Sequence, residues 1–391
     1  MSMLEKVSFS TTPDFELGFE HCPRQTDYLI AQPKERAKGL VVYIPGFGDD
    51  AGEYREKFCL KVAEKYDLAA MTVDYHCFYS RPEVHSATAY EAEDVALIEK
   101  LFLAHNLPFA GDTIEEGIEI LNKHLASHNQ KASITATLIP GKDEYQNAGV
   151  LQALDIINAV GHAIEKYSIP AENVILIGSS YGGYIANLAT KFAPKTFRAV
   201  FDNSSWAQPH FTYIVGREYG YPELIHKTHS HIATKLFLRT AWTLKKGLPN
   251  TFDGKRFYVR TFSEDQLGQF SSYEPETYYY FIHAEKDKLA LTEHKIQMAT
   301  YMIQREMNVH MEVMEAADID GQYIKTIEHG MNLSMLTFFD KAYAHINDHT
   351  ISLENDFMNG SLVGYDSGDH RYEFDFSTFP VTGRVTQKAV A

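Results

Sequence analysis

Residues 173–183, Asn-Val-Ile-Leu-Ile-Gly-Ser-Ser-Tyr-Gly-Gly, constrain the fold more than any other stretch of the chain. The run Asn173 to Ile177 has the continuous apolar character of a strand buried on both faces. Residues 184–193 continue at helical spacing. Between them lies G-x-S-x-G centred on Ser180. A strand-to-helix turn this tight admits only glycine at its flanking positions and leaves the serine hydroxyl exposed at the C-terminal edge of the sheet.

The same alternation of buried strands and helical patterns extends along most of the chain. Residues 5–33 suit two antiparallel edge strands, and Gly39 to Ile44 (GLVVYI) form the first strong core strand. A helix is predicted over 53–66, and Asp67 to Tyr75 (DLAAMTVDY) form the next buried strand. Further helices are predicted over 144–167, 292–306 and 332–346, with strands at 197–201, 278–283 and 308–314. Strands alternating with helices imply an α/β fold, a doubly wound, mostly parallel sheet of about eight strands. Two stretches break the rhythm. Residues 80–140 are expected as an excursion over the sheet edge, and 209–275, rich in aromatic residues and histidine, as a lid or cap. Residues 1–346 therefore make one domain with two insertions, and 347–391 a C-terminal extension carrying no chemistry.

At 391 residues and 45% hydrophobic, the chain can bury a sizeable core. The net charge of −16, with no long basic run, argues against nucleic acid and against docking on an anionic membrane. Cys22, Cys59 and Cys77 are too few and too scattered for a disulfide framework or a four-ligand zinc site. With no apolar leader and no run long enough to span a bilayer, a cytoplasmic protein is expected.

A serine hydroxyl is a weak nucleophile at neutral pH, so Ser180 requires a base and a group to hold that base. His329, in Glu328-His329-Gly330, follows the last predicted strand in a loop that can lean over the sheet edge. Asp287 follows the strand ending near His283 and is the expected acid. Asp202, one strand earlier, is its competitor, with Glu285 and Asp320 weaker ones. The backbone NH groups of Tyr181 and of Phe47, in the Pro45-Gly46-Phe47-Gly48 loop, are the expected oxyanion donors. Gly46, Asp49, His76 and Arg81 lie where such sheets bind ligands and are candidate substrate contacts. His229 and His231 could share a metal if extended, but a polar lid segment accounts for them better. No metal and no other cofactor is expected.

The chain order Ser180, Asp287, His329, with Gly46-Phe47 after an early strand, resembles the α/β-hydrolase superfamily over about residues 5–346. The resemblance implies an eight-stranded sheet, a metal-free reaction through an acyl-enzyme, and substrates drawn from esters, amides, thioesters and peptides. The chain lacks the His-Gly-Gly type loop of many esterases, which leaves the second oxyanion donor open. A looser similarity involves Tyr75-His76-Cys77-Phe78, Glu144 to Gly149 and the Gly178 to Gly183 elbow. It resembles an uncharacterised bacterial family associated with surface-glycan gene neighbourhoods, and implies carbohydrate-linked acyl groups.

The expected function is that of a serine hydrolase, a carboxylesterase or deacylase on a small or carbohydrate-linked ester. One alternative keeps the triad and transfers the acyl group to a hydroxyl or amine. Another is a binding module without turnover. A peptidase is a weaker reading, because the propeller-sized N-terminal domain of the large oligopeptidases is missing.

Overall fold

The computed structural model describes residues 3–48, 52–82, 85–109, 112–227, 229–346 and 355–388. Its central sheet has eight strands. They are β1 (Leu4–Thr11), β2 (Arg24–Ala31), β3 (Leu40–Ile44), β4 (Ala69–Val73), β5 (Val174–Ser179), β6 (Ala199–Asn203), β7 (Tyr278–Ala284) and β8 (Val309–Met314). Their spatial order is β1-β2-β4-β3-β5-β6-β7-β8. β2 pairs antiparallel with both β1 and β4, and every other neighbouring pair is parallel. This is the α/β-hydrolase sheet expected from the sequence.

Helices cover both faces, which is why β3 and β4 are buried at every position and, Thr72 aside, carry no short polar side chain. On one face Val41, Tyr43, Ile175, Ile177 and Phe201 join Phe58 and Val62 of α1 (Glu53–Tyr66) in a single cluster. On the other face lie α2 (Val150–Tyr167) and α3 (Tyr181–Phe192), whose inner residues are almost wholly buried. α4 (Thr292–Ile303) follows β7, and α5 (Met335–His345) adds Phe338 and Phe339 to the first cluster. Truncating Phe339 to alanine removes a ring with no exposed surface, a change that costs about 3–5 kcal/mol in a packed core.

The chain divides into two compact units. The first comprises residues 1–76, 148–209 and 252–391, and the second 77–147 and 210–251. The second has its own four-stranded sheet, in the order Ala87–Ala89, Ala132–Ile139, Ile232–Leu238, Leu224–His226. Its two central strands run parallel, with Ile232 opposite Ala132 and Leu238 opposite Leu138. Helices Ala92–Ala104 and Ile114–Ser127 close a small core of Ile98, Phe102, Ile118, Leu121, Leu125, Ile134 and Ile232.

The two excursions expected from the sequence thus share one sheet. Residues 252–275, expected within the second of them, fall in the first unit, which includes helices Gly254–Tyr258 and Glu264–Ser271. Arg260 between these helices is fully buried and pairs with Glu16, 2.5 Å apart.

The residues after 355 are built into the first unit. Strands Leu362–Ser367, His370–Asp375 and Thr382–Gln387 form a third, antiparallel sheet. From it the Tyr372 hydroxyl donates to Glu16 (2.7 Å), and Phe374 packs on Phe192 of α3 (4.3 Å between ring centres). Among the described residues no helix is long and apolar enough to cross a membrane.

Candidate active site

β5 ends at Ser179 and α3 begins at Tyr181, so Ser180 alone makes the turn, at φ 54° and ψ −123°. A non-glycine residue holds such a conformation only where its surroundings over-determine it. Here they do. A Cβ at Gly178 would collide with the backbone of Gly182, and one at Gly182 with the carbonyls of Ile44 and Pro45. The Ser180 NH donates to the Asn203 carbonyl at the end of β6 (2.8 Å), and its carbonyl accepts from Tyr184 in the first turn of α3 (3.1 Å). Its backbone is therefore satisfied and its hydroxyl is directed to the sheet edge.

There it meets His329, whose Nε2 lies 2.7 Å from Ser180 Oγ. His329 Nδ1 lies 2.7 Å from Asp287 Oδ2. The loop carrying His329 is fastened from β6: Asn203 donates to the Gly330 carbonyl (3.2 Å), and the Gly330 NH donates to Ser204 Oγ (3.3 Å).

Asp287 is fully buried at its carboxylate, whereas the His329 ring remains 22% exposed. Burial works against a charged carboxylate, but the hydrogen bond with His329 and the NH groups of Ala290 and Leu289 outweigh it. They hold the Asp287 pKa below the ordinary carboxylate value. Those two NH groups donate to Oδ1 at 2.9 and 2.8 Å, which leaves Oδ2 for the imidazole.

His283, at the end of β7, was not singled out by the sequence analysis. Its Nε2 lies 2.7 Å from the Ala290 carbonyl and 3.6 Å from Asp287 Oδ2. The Ala290 carbonyl can only accept, so Nε2 carries the proton donated to it, and burial lowers the pKa of the ring. Its Nδ1 is buried without a hydrogen-bond partner among the described residues. His283 thereby pins the residue whose NH clamps Asp287. An i, i+4 His-Asp spacing across a strand end is the one signal the sequence offered.

Asp202 is also buried, but it faces other groups. Lys295 Nζ (2.5 Å), Asn187 Nδ2 (2.6 Å) and Ser205 Oγ (2.5 Å) all bond Oδ2, and the Ser205 NH bonds Oδ1. Glu285 is exposed and pairs with Lys286, and Asp320 accepts three NH groups of its own turn.

The Pro45–Gly46 segment is buried and held by the Tyr75 hydroxyl, which donates to the Pro45 carbonyl (3.0 Å). The Phe47 ring meets Tyr181 edge-on at 5.7 Å, and Tyr75 and Trp206 pack against Tyr181 as well. Asp49 lies outside the described residues. His76 is buried in a polar cluster, its NH on Asp155 (2.8 Å) and its Nδ1 3.2 Å from Arg24. Arg81 belongs to the second unit, where it pairs with Glu223 at 3.2 Å. Burial pushes the Glu223 carboxyl up to about 7, against the opposing pull of Arg81. The structure thus brings Ser180, His329 and Asp287 together, sets Phe47 against Tyr181, and engages His76 and Arg81 elsewhere.

Beside His329 a cleft of about 540 Å³ opens in the first unit. Leu289, Ala316 and Ile327 give it an apolar lining, and Lys286, Lys288 and Glu328 supply charge. Among the described residues no group of three or more His, Cys, Asp or Glu is placed to hold a metal ion.

Many solved structures are similar to this chain at low identity. The acylaminoacyl peptidase of Pyrococcus horikoshii matches at 10% identity and a TM-score of 0.46, over 89% of this chain and 42% of the peptidase. Est1E from Butyrivibrio proteoclasticus matches at 11% and 0.44, over 88% of this chain and 98% of Est1E. A fungal esterase from Rhizomucor miehei matches at 11% and 0.42, over 89% and 84%. The chain spans less than half the length of the peptidase. At such identities no activity passes from these proteins to this one. No curated protein matches the chain in sequence. The family match is of another kind, since it runs from residue 6 to residue 381 and takes in both compact units: the chain belongs to the family described as Protein of unknown function (DUF2920).

Proposed function

We propose that this protein is a serine hydrolase that cleaves carboxylic esters through an acyl-enzyme formed on Ser180. The observation that carries the reading is the continuous relay from Ser180 Oγ through His329 to Asp287, 2.7 Å at each step, set on a strained strand-to-helix turn. His329 Nε2 takes the hydroxyl proton as Ser180 Oγ attacks the ester carbonyl. Asp287 holds the proton on Nδ1, so that Nε2 is the free base, and stabilises the imidazolium that forms. The oxyanion is received by the backbone NH groups of Tyr181, at the N-terminus of α3, and of Phe47. His329 then returns the proton to the departing alkoxide, and water, activated by the same imidazole, releases the acid.

A cleft of about 540 Å³ is lined in part by His329. Its volume falls in the range of small-molecule sites and supports an alcohol of about monosaccharide size, such as a carbohydrate-linked ester. Carboxylesterase or deacylase activity on small or sugar-borne esters is the substrate class we infer.

The test is hydrolysis of 4-nitrophenyl acetate and of acetylated monosaccharides by the wild type and by Ser180→Ala. Turnover by the wild type with a loss of about a thousandfold or more in the variant is the expected outcome. Equal hydrolysis by the two proteins would remove Ser180 from the reaction.

A further inference from the structure

The second unit contains a pocket that the proposed reaction does not use. It lies at the N-terminal ends of the parallel strands Ala132–Ile139 and Ile232–Leu238, and its volume is about 330 Å³. Because Ile232 stands opposite Ala132, the segments leading into the two strands run side by side. This register brings Lys131 and Ser133 from one segment together with Lys227, Ser230 and His231 from the other. The Ala132 NH donates to the His231 carbonyl (3.0 Å). His231 is oriented from two sides, its NH donating to Asn122 Oδ1 (3.0 Å) and its Nδ1 2.7 Å from the Gln130 carbonyl.

The chemistry of this lining is one-sided. Among its described lining residues the ionisable side chains are two lysines and two histidines, the hydroxyls are two serines, and there is no carboxylate. In a chain with 52 acidic residues and a net charge of −16, described lining residues without a carboxylate stand apart from the clefts lined by Glu264, by Glu165, or by Glu285 and Glu328. Lys131 and Lys227 form no ion pair among the described residues, whereas many other lysines of the chain do. On the helix that supplies Asn122, Glu119 is occupied by Lys123 at 3.0 Å. The pocket therefore offers ammonium and hydroxyl donors with no internal acceptor charge to neutralise them, which is the donor set that a tetrahedral oxyanion recruits.

We propose that this pocket is a binding site for a phosphorylated ligand, with Lys131 and Lys227 neutralising the phosphate and Ser133 and Ser230 donating hydrogen bonds to its oxygens. A phosphate ester and free phosphate present the same group, and the volume leaves room for a small organic moiety on the ester.

The experiment is calorimetric titration of the full chain, in low-salt buffer without phosphate, with glucose 1-phosphate, inorganic phosphate and glucose. The wild type is expected to bind glucose 1-phosphate saturably and to ignore glucose, with affinity falling as potassium chloride is added. Equal binding of inorganic phosphate identifies the free ion as sufficient, and weaker binding identifies the ester. Lys131→Gln/Lys227→Gln is expected to weaken binding at least about tenfold, and Lys131→Glu/Lys227→Glu to abolish it. Both variants should keep the wild-type melting temperature, since the two side chains are exposed. Absence of saturable binding by the folded wild type, or undiminished binding by the charge-reversed variant, overturns the proposal.

Discussion

Two aspartates stand at the ends of neighbouring strands, both buried and both hydrogen-bonded, yet the structure gives them opposite surroundings. Asp202 closes β6 inside a ring of Lys295, Asn187 and Ser205, with the lysine 1% exposed. Asp287 leaves β7 on a loop whose NH groups hold one carboxylate oxygen, while the other faces a histidine that is itself partly open to solvent. A carboxylate whose partners are all internal is a structural tie. One whose partner has a second, accessible nitrogen can transmit its charge to a reacting group. The difference lies in what the partner touches next, not in the burial or the number of bonds of the aspartate.

The comparison breaks most visibly in activity. Asp287→Asn keeps the shape but no longer fixes the imidazole tautomer, and should lower kcat about 10⁴-fold with little change in melting temperature. Asp202→Asn should do the reverse. It leaves the Lys295 ammonium buried without its counter-charge, where burial already pulls its pKa down, and stability should fall by about 3–5 kcal/mol in denaturant titration. Ester hydrolysis by the fraction that remains folded should stay within about tenfold of wild type. If Asp202→Asn lost activity as Asp287→Asn does, the two surroundings would be catalytically equivalent and the contrast would fail.

His283 sharpens the same contrast, because it acts on Asp287 through Ala290. His283→Phe removes the donor to the Ala290 carbonyl and should reduce kcat about fivefold without raising KM, whereas His283→Gln, which keeps an Nε2 donor, should recover most of the loss. Equal kcat for the phenylalanine variant and the wild type would show that the loop needs no such pin.

The smallest expected effect concerns a carboxylate outside both of these clusters. Glu223, raised to about 7 by burial, binds its proton more tightly folded than unfolded. Its contribution to stability is therefore present below the unfolded value of 4.5 and is lost as pH rises through about 7. Glu223→Gln should raise the melting temperature relative to wild type by a few degrees at pH 8 and by less at pH 5. An equal effect at both pH values would show that Glu223 titrates normally.

The central sheet was legible because its strands are covered on both faces. Continuous apolar runs such as Leu40–Ile44 and Val174–Ile177 have one reading, and the helix over 53–66 has the predicted bounds. The turn at Ser180 was legible for a steric reason, as the contacts a Cβ would make at Gly178 and Gly182 show.

The second unit was not legible as one body. Its central strand Ala132–Ile139 finds its parallel partner about a hundred residues later, and local periodicity carries no trace of such a pairing. The residues around Arg260 were expected in a lid for a similar reason, since their buried partner Glu16 sits near the start of the chain. The choice between Asp202 and Asp287 followed strand order in the sequence. What separates them physically is Lys295, a residue on α4 that nothing in the Phe201-Asp202-Asn203 segment announces. His283 escaped notice because a histidine ending an apolar strand has no distinguishing pattern until the loop folds back on it.

The most direct measurement is intact mass after brief exposure to a fluorophosphonate, taken in parallel on wild type, Ser180→Ala, Asp287→Asn and Asp202→Asn. A single adduct on wild type and on folded Asp202→Asn, none on Ser180→Ala and strongly slowed labelling of Asp287→Asn is the predicted result. Rapid labelling of Asp287→Asn, or persistent labelling of Ser180→Ala, would contradict an activated Ser180 served by His329 and Asp287.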